Sequence, residues 1–487
     1  MSMPTTIRTD IQIDPDVSRV LIRPFIPSPV RAVKIMARIA AQSDAGVKEH
    51  LDKIFNDFSS RHIKVKNTFL ERYEEIKHLQ ITDLEPSQER KLLIGSYFTS
   101  EYSLESAALF NPSIVPHPDQ SNLPGGSTRF IMSLRAVGEG HISSVVFRCG
   151  TIDKNNNIYI EPPARFVKTP NLIINKEFSK TILRQKLFDI GFSCVYSEKV
   201  FGLLPEYFTF QELEDSVSAL HNKEPVLSFA NTTARENLLW LASANYDIEF
   251  DPSVPIDGRV LFPHSPVEKQ GIEDARFVKF TDDDGLATYY GTATAWDGRT
   301  VLSQLIETRD FTTFSVRSLN GEMVKNKGMA LFPRKIDGKY AMISRQDNEN
   351  IYLMFSERIQ FWRESEIIVR PSYPWEFYQI GNSGSPIETD KGWLLITHGV
   401  GAMRRYAIGA VLLDKEDPSK VLGRTKDPLL VPNENEREGY VPNVVYSCGS
   451  MIHGDQLVLP YAMADKASRI ALINLDELLT YMLGKGV

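Results

Sequence analysis

Residues 271 to 277 read GIEDARF. Two adjacent carboxylates, Glu273 and Asp274, stand just before an arginine, Arg276, between a proline-rich loop and a strand-like run, FVKF. A carboxylic acid can protonate a leaving-group oxygen, and a guanidinium beside it can hold an anion by charge-assisted hydrogen bonds. The heptapeptide taken alone fits an ion-paired surface loop equally well. The choice rests on which distant residues the fold brings beside it.

Two textures divide the chain. Over residues about 30 to 95, Leu51, Ile54, Phe55, Phe58, Phe69, Leu70, Tyr73 and Ile76 recur at three- and four-residue spacings, an amphipathic helix pattern. Pro24, Pro27 and Pro29 precede it and Pro86 sits near its end, so two or three helices are expected. From about residue 105, short β-branched and aromatic runs alternate with Gly, Asp, Asn and Pro turns. A loose repeat runs through this part: a strand, an acidic or Asp-Gly turn, then an aromatic-rich strand. It reads RFVKFTDDDGLATYYGTATA, LFPRKIDGKYAMISRQ, PIETDKGWLLITHGV and NVVYSCGSMIHGDQLVLPYAMAD, with a looser early copy, NPSIVPHPDQSNLPGGSTRFIMSLRA. Turn centres of the four tighter copies lie roughly 50 to 65 residues apart, a spacing that suits propeller blades. The expected architecture is an all-β main domain over residues 101–487, a five-bladed β-propeller, preceded by an α-helical extension over residues 1–100. A large antiparallel sandwich is the alternative.

In a propeller, the innermost strands aim polar residues into a central funnel. The repeats offer Asn111 and Arg135, then Asp274 and Arg276, then Asn326, Lys327 and Arg345, then His398, and last Tyr461 and Asp465. Together they make a pocket with an acid and several cations. Glycoside cleavage usually needs two carboxylates, but a phosphate nucleophile arrives already anionic and removes the need for the second. Trp296, Trp375, Trp393 and Tyr289 lie in or beside the repeats, where ring faces could stack on sugars or simply pack the core.

Bulk properties narrow the classes. The 487 residues carry a net charge of −7, which argues against a general nucleic-acid or anionic-membrane binder. Cys149, Cys194 and Cys448 are too scattered for a disulfide framework or a thiolate zinc site, and the nine histidines show no metal-ligand spacing. The polar start, MSMPTTIRTDIQIDPD, lacks a signal-peptide core, and no apolar run reaches the ~18 residues of a membrane span. A cytoplasmic protein without metal or organic cofactor is expected. GNSGS at 381–385 lacks the Lys-Ser/Thr of a phosphate-cradling P-loop.

From FNPSIV at 110 to YAMAD at 465 the sequence resembles glycoside hydrolase family 130, mannoside phosphorylases and β-1,2-mannosidases. The stretches FNPSIV, FIMSLRA, GIEDARFVKF, NKGMALFPRKIDGKYAMISR, GWLLITHGV and LPYAMAD carry the likeness by their order and spacing. The resemblance implies inverting cleavage of β-mannosides, with Asp274 as proton donor, acting through a sugar hydroxyl. It implies Asn111, Arg135 and Asp465 around the mannosyl unit, and Arg276, Asn326, Lys327, Arg345, His398 and Tyr461 toward inorganic phosphate as co-substrate. Glu273 gains no role beyond bracing Arg276. The chain departs from the family where Asp-Pro-Arg is common, reading Asp274-Ala275-Arg276, and where Arg-Asn-Lys-Asp is common, reading Lys325-Asn326-Lys327-Gly328. A lysine in place of a forked arginine weakens the phosphate case. Hydrolysis of the same bond is the alternative, with Glu307 or Glu388 activating water. A non-catalytic glycan- or protein-binding propeller, and a fructan- or arabinan-cleaving relative, are the others. The N-terminal helices could cover the funnel, form a homo-oligomer contact or brace the propeller.

Overall fold

A computed structural model describes residues 3–80, 84–173, 176–223 and 229–484, without side-chain detail at 229–231. The chain divides into two compact units, one of Asp16–Ser106 with Ala164–Lys168, the other of Met1–Pro15, Ala107–Pro163 and Thr169–Val487.

The smaller unit holds helices α1 (Pro29–Ala40), α2 (Asp44–Phe58), α3 (Val65–Ile76) and α4 (Gln88–Tyr97), one or two more than the periodicity predicts. Pro29 opens α1, where its missing N–H is no loss. Ser43 and Ser87 cap α2 and α4 by accepting from the amides of Gly46 and Arg90. Met36, Leu51, Phe69, Tyr73, Ile76 and Leu93 turn inward to a shared core. A strand pair, Val20–Pro24 with Thr99–Ser103, completes the unit.

The larger unit is built mainly on antiparallel strands, one sheet section for each copy of the repeat, the first two sections lying in a single 11-stranded sheet. The first contains Ala108–Pro116, Thr128–Val137 and Ser143–Ile152. The second contains Gly271–Thr281, Ala287–Trp296, Val301–Thr308 and Thr313–Ser318, and a parallel pairing of Gly271 with Ser143 joins it to the first. The third runs from Ala330–Leu331 to Glu366–Val369 and the fourth from Gln379–Asn382 to Val421–Arg424. The fifth contains Val445–Tyr446, Gln456–Met463 and Ala467–Asn474. Apolar side chains of neighbouring sheets share clusters, as where Leu394, Ile408 and Leu412 meet Leu457, Leu459 and Ile473.

Two features depart from the expected division at residue 100. The strand Thr6–Ile13 pairs with Ala467–Asn474 and so belongs to the fifth sheet. Between the first and second sheets the described residues form four α-helices, α5 (Lys180–Asp189), α6 (Val195–Leu203), α7 (Phe210–Lys223) and α8 (Phe229–Ser243). Leu183, Leu187, Val200, Phe201, Leu213, Val217 and Leu238 fill a core among them. The part after residue 100 is therefore β-sheet with a helical insertion, because amphipathic stretches such as LEDSVSALHNK bury one face in the helical rather than the strand period.

Candidate active site

Four of the residues singled out in the sequence share one backbone feature. Asn111, Asp274, Asn326 and Asp465 all adopt left-handed φ values, 51°, 53°, 65° and 52°. Asn and Asp tolerate this region better than other side chains, since their short polar groups bond locally. Asn111 and Asp274 sit in β-bulges, between Phe110 and Ser113 and between Glu273 and Arg276. A bulge re-aims a side chain out of the pleat, and these two aim at each other. Asn111 Nδ2 donates to Asp274 Oδ1 at 2.7 Å. Strained backbone of this kind persists where the surroundings over-determine it.

Cations converge on Asp274. Arg135 stands opposite Phe110, its guanidinium 5.1 Å from that ring centre. It donates to Asp274 Oδ1 at 3.4 Å, to Glu273 Oε1 at 2.7 Å and to Ser143 Oγ at 2.9 Å. Lys327 Nζ reaches Glu273 Oε2 at 3.3 Å. Glu273 is thus a clamp between Arg135 and Lys327, a task the sequence reading missed when it paired Glu273 with Arg276. Arg276 folds back to donate to the Asp274 carbonyl at 2.9 Å and to Tyr446 Oη at 2.7 Å.

Beside Tyr446 lies a second group. Its ring centre is 4.8 Å from that of His398, whose Nε2 is 3.1 Å from Arg345 Nη1. The Gln379 amide touches the same histidine nitrogen at 3.3 Å. Glycines make room for this cluster. A Cβ on Gly381 would stand 2.6 Å from His398 Cε1 and 2.7 Å from Arg345 Cδ. Gly328, at φ +94°, brings the loop after Lys327 over the Arg345 guanidinium. Asn111 Oδ1, Arg276 Nε and Arg345 Nε are buried here without a hydrogen-bond partner. Such a set marks a place for a polar ligand.

Electrostatics separates the two aspartates. Burial works to raise the Asp274 carboxyl, but Arg135, Arg276 and Lys327 outweigh it and hold it at about 2. Asp465 is raised to about 6, first by burial and then by the charge of Asp274. Burial and the facing Arg345 keep His398 well below the usual imidazole value, so it is a neutral acceptor. Burial also pushes the Tyr446 phenol up to about 12.

Not every expected residue joins. Tyr461 turns into the fifth sheet's core and donates to Glu436 Oε1 at 2.8 Å, while Glu436 pairs with Arg8 at 2.9 Å. The tyrosine in the cluster is Tyr446, on the strand before the turn of the fifth repeat rather than after it. Side-chain partners place Glu388 with Arg334 and Lys415, at 2.9 and 3.1 Å. Glu307 lies on the third strand of its sheet, opposite Tyr290 and Ser315. Neither carboxylate stands beside Asp274. Of the aromatics, Trp393 is fully buried, Tyr289 donates to the Pro116 carbonyl, and Trp375 packs against Gly399 and Gly409. These three are packing residues; Trp296 is half-buried opposite Gly271.

Residues 255–483 match the family profile of glycoside hydrolase family 130, described as beta-1,4-mannooligosaccharide phosphorylase. A 1,2-beta-oligomannan phosphorylase of Thermoanaerobacter sp. is 36% identical over 227 residues, 46% of this chain and 75% of the relative. A beta-1,2-mannobiose phosphorylase of the same organism is 36% identical over 232 residues, 45% of this chain and 72% of the relative. A solved beta-1,2-mannobiose phosphorylase from Listeria innocua aligns over 79% of this chain and 94% of its own, at 20% identity and a TM-score of 0.46. The chain belongs to glycoside hydrolase family 130. The matched segment contains Asp274, Arg276, Lys327, Arg345 and His398, whereas Asn111 and Arg135 lie before it.

Proposed function

We propose that this chain is an inverting β-mannoside phosphorylase, releasing mannose 1-phosphate, and that its five sheets are the blades of a five-bladed β-propeller. The observation that carries the activity is one ionised acid, Asp274, inside a group of cations, with the neighbouring Glu273 already held by Arg135 and Lys327. A hydrolase needs a carboxylate free to activate water. The propeller reading is supported by the repeat and by the pairing of Thr6–Ile13 with Ala467–Asn474, which joins the first strand to the last sheet.

The same cations that bind phosphate hold Asp274 deprotonated. An arriving phosphate dianion would offset the charge of Arg276, Lys327 and Arg345 and raise the Asp274 pKa. Anion binding would thereby make the acid ready to donate, through a mannosyl hydroxyl, to the bridging oxygen. Asn111, Arg135 and Asp465 would hold the mannosyl unit. Arg345, with neutral His398 and Tyr446 behind it, would donate to the phosphate oxygens. The names of the relatives favour a 1,2 linkage. The free cysteines Cys149, Cys194 and Cys448 suit a reducing cytoplasm.

The test incubates purified protein with β-1,2-mannobiose, and separately with β-1,4-mannobiose, with and without inorganic phosphate. Mannose 1-phosphate formed only with phosphate is expected. Free mannose at equal rates in both tubes would overturn phosphorolysis.

A further inference from the structure

Three turns that adjoin the strands of the buried cluster carry large exposed side chains. His141 ends the turn between Thr128–Val137 and Ser143–Ile152, the two strands that supply Arg135 and its partner Ser143. Tyr440 is bracketed by Gly439 and Val441, both against Ala464, the neighbour of Asp465: the Val441 amide donates to the Ala464 carbonyl at 3.0 Å. The Tyr440 and His141 rings lie 6.0 Å apart with 30° between their planes. Met403 caps the hairpin from Val400 to Tyr406, whose Arg404 contributes its charge to Asp465. Tyr378 opens the strand that carries Gln379, and its amide donates to the Val400 carbonyl at 3.0 Å.

These side chains are exposed to a degree that packing does not explain: Tyr440 70%, Tyr378 75% and Met403 91%. Left-handed backbone at His141, Met403 and Arg404, with φ of 59°, 56° and 53°, shapes the two turns that present His141 and Met403. Exposed aromatic surface next to a polar pocket marks a contact site. Tyrosine offers an apolar face for the C–H side of a sugar ring and a hydroxyl for its edge, at little conformational cost.

We infer that the Tyr440–His141 pair, with Met403 and Tyr378, forms a platform for the sugar units beyond the cleaved bond, so that chain length is read at this rim. The inference rests on the proposed β-mannoside activity. Asp274, Arg276, Arg345 and His398 are all buried, so only the unit being removed need reach them. The remainder of the oligosaccharide must leave over the rim, where these rings stand.

The test measures kcat/KM for β-1,2-mannobiose and β-1,2-mannotetraose and takes the ratio, in wild type and in Tyr440→Ala, Tyr440→Phe and Met403→Ala. Wild type should favour the tetraose. Tyr440→Ala and Met403→Ala should each lower the tetraose-to-biose ratio about three- to tenfold, with Tyr440→Phe retaining most of it, since stacking needs only the ring. Turnover of both substrates with a ratio unmoved by Tyr440→Ala overturns the platform and leaves the activity standing. An unmoved ratio accompanied by a change in oligomeric mass on size-exclusion chromatography overturns it in favour of a contact between copies. Failure of wild type on every β-mannoside overturns the activity itself and the platform with it.

Discussion

As the proposed acid, Asp274 has to change protonation, and the resting site opposes that change. With Arg135, Arg276 and Lys327 holding it at about 2, the carboxyl is ionised at every ordinary pH. Asp274→Asn keeps the shape and the Asn111 contact but cannot donate. It should lower kcat about 10²- to 10⁴-fold, with a melting temperature close to wild type, read by steady-state kinetics beside calorimetry. Asp465 makes the opposite trade. Its folded pKa of about 6 exceeds the unfolded value of 3.8, so the folded state binds this proton more tightly. Its contribution to stability is full below the unfolded value and falls as pH rises through about 6. Asp465→Asn should therefore be more stable than wild type at pH 8 by about 1–3 kcal/mol, a gain that vanishes below about pH 4. Denaturant melts at the two pH values check this, and turnover should fall in the same variant.

The strand that delivers Asp274 is fixed at its entrance by Glu268, fully buried one turn before Gly271. Its carboxylate accepts from Tyr246 Oη and Gln304 Nε2, each at 2.7 Å, and from the amides of His264 and Ser265 at 2.9 and 3.2 Å. Glu268→Ala would strand several buried donors and should cost about 3–5 kcal/mol, measured by urea denaturation. The sequence made the strand legible but hid this anchor, because Glu268 sits in a Pro-containing turn with no periodic pattern. The repeats were legible because strand, acidic turn and strand recur in order. They led to Asn111, Arg135, Asp274, Arg345 and His398, which the fold gathers on four sheets. Tyr446 was not legible against Tyr461, since choosing between them requires knowing which strand of the repeat lies innermost. Helices α5 to α8 left a signal that went unread: the first copy ends at Ala136 and the second begins at Arg276, far wider than the other intervals.

Across the whole molecule a net charge of −7 surrounds a cationic cluster, so the local arrangement of charge rather than the overall balance must attract the proposed phosphate. The fifth sheet depends on a strand from the other end of the sequence, with Thr6 opposite Ile473 and the Arg8–Glu436–Tyr461 contacts behind it. Glu436→Ala would leave Arg8 and buried Tyr461 without their acceptor and should lower stability by about 2–4 kcal/mol, seen as a shift in the thermal midpoint without loss of the helical signal. That pairing also sets a schedule. On a ribosome adding about 5–20 residues per second, Thr6–Ile13 emerges on the order of half a minute to a minute and a half before Ala467–Asn474 exists. Through that interval the nascent chain carries a strand whose partner has not been made, open to pairing with other chains. Completion of the fifth sheet therefore waits until Ala467–Asn474 has been made, and the earlier sheets must hold their order without it.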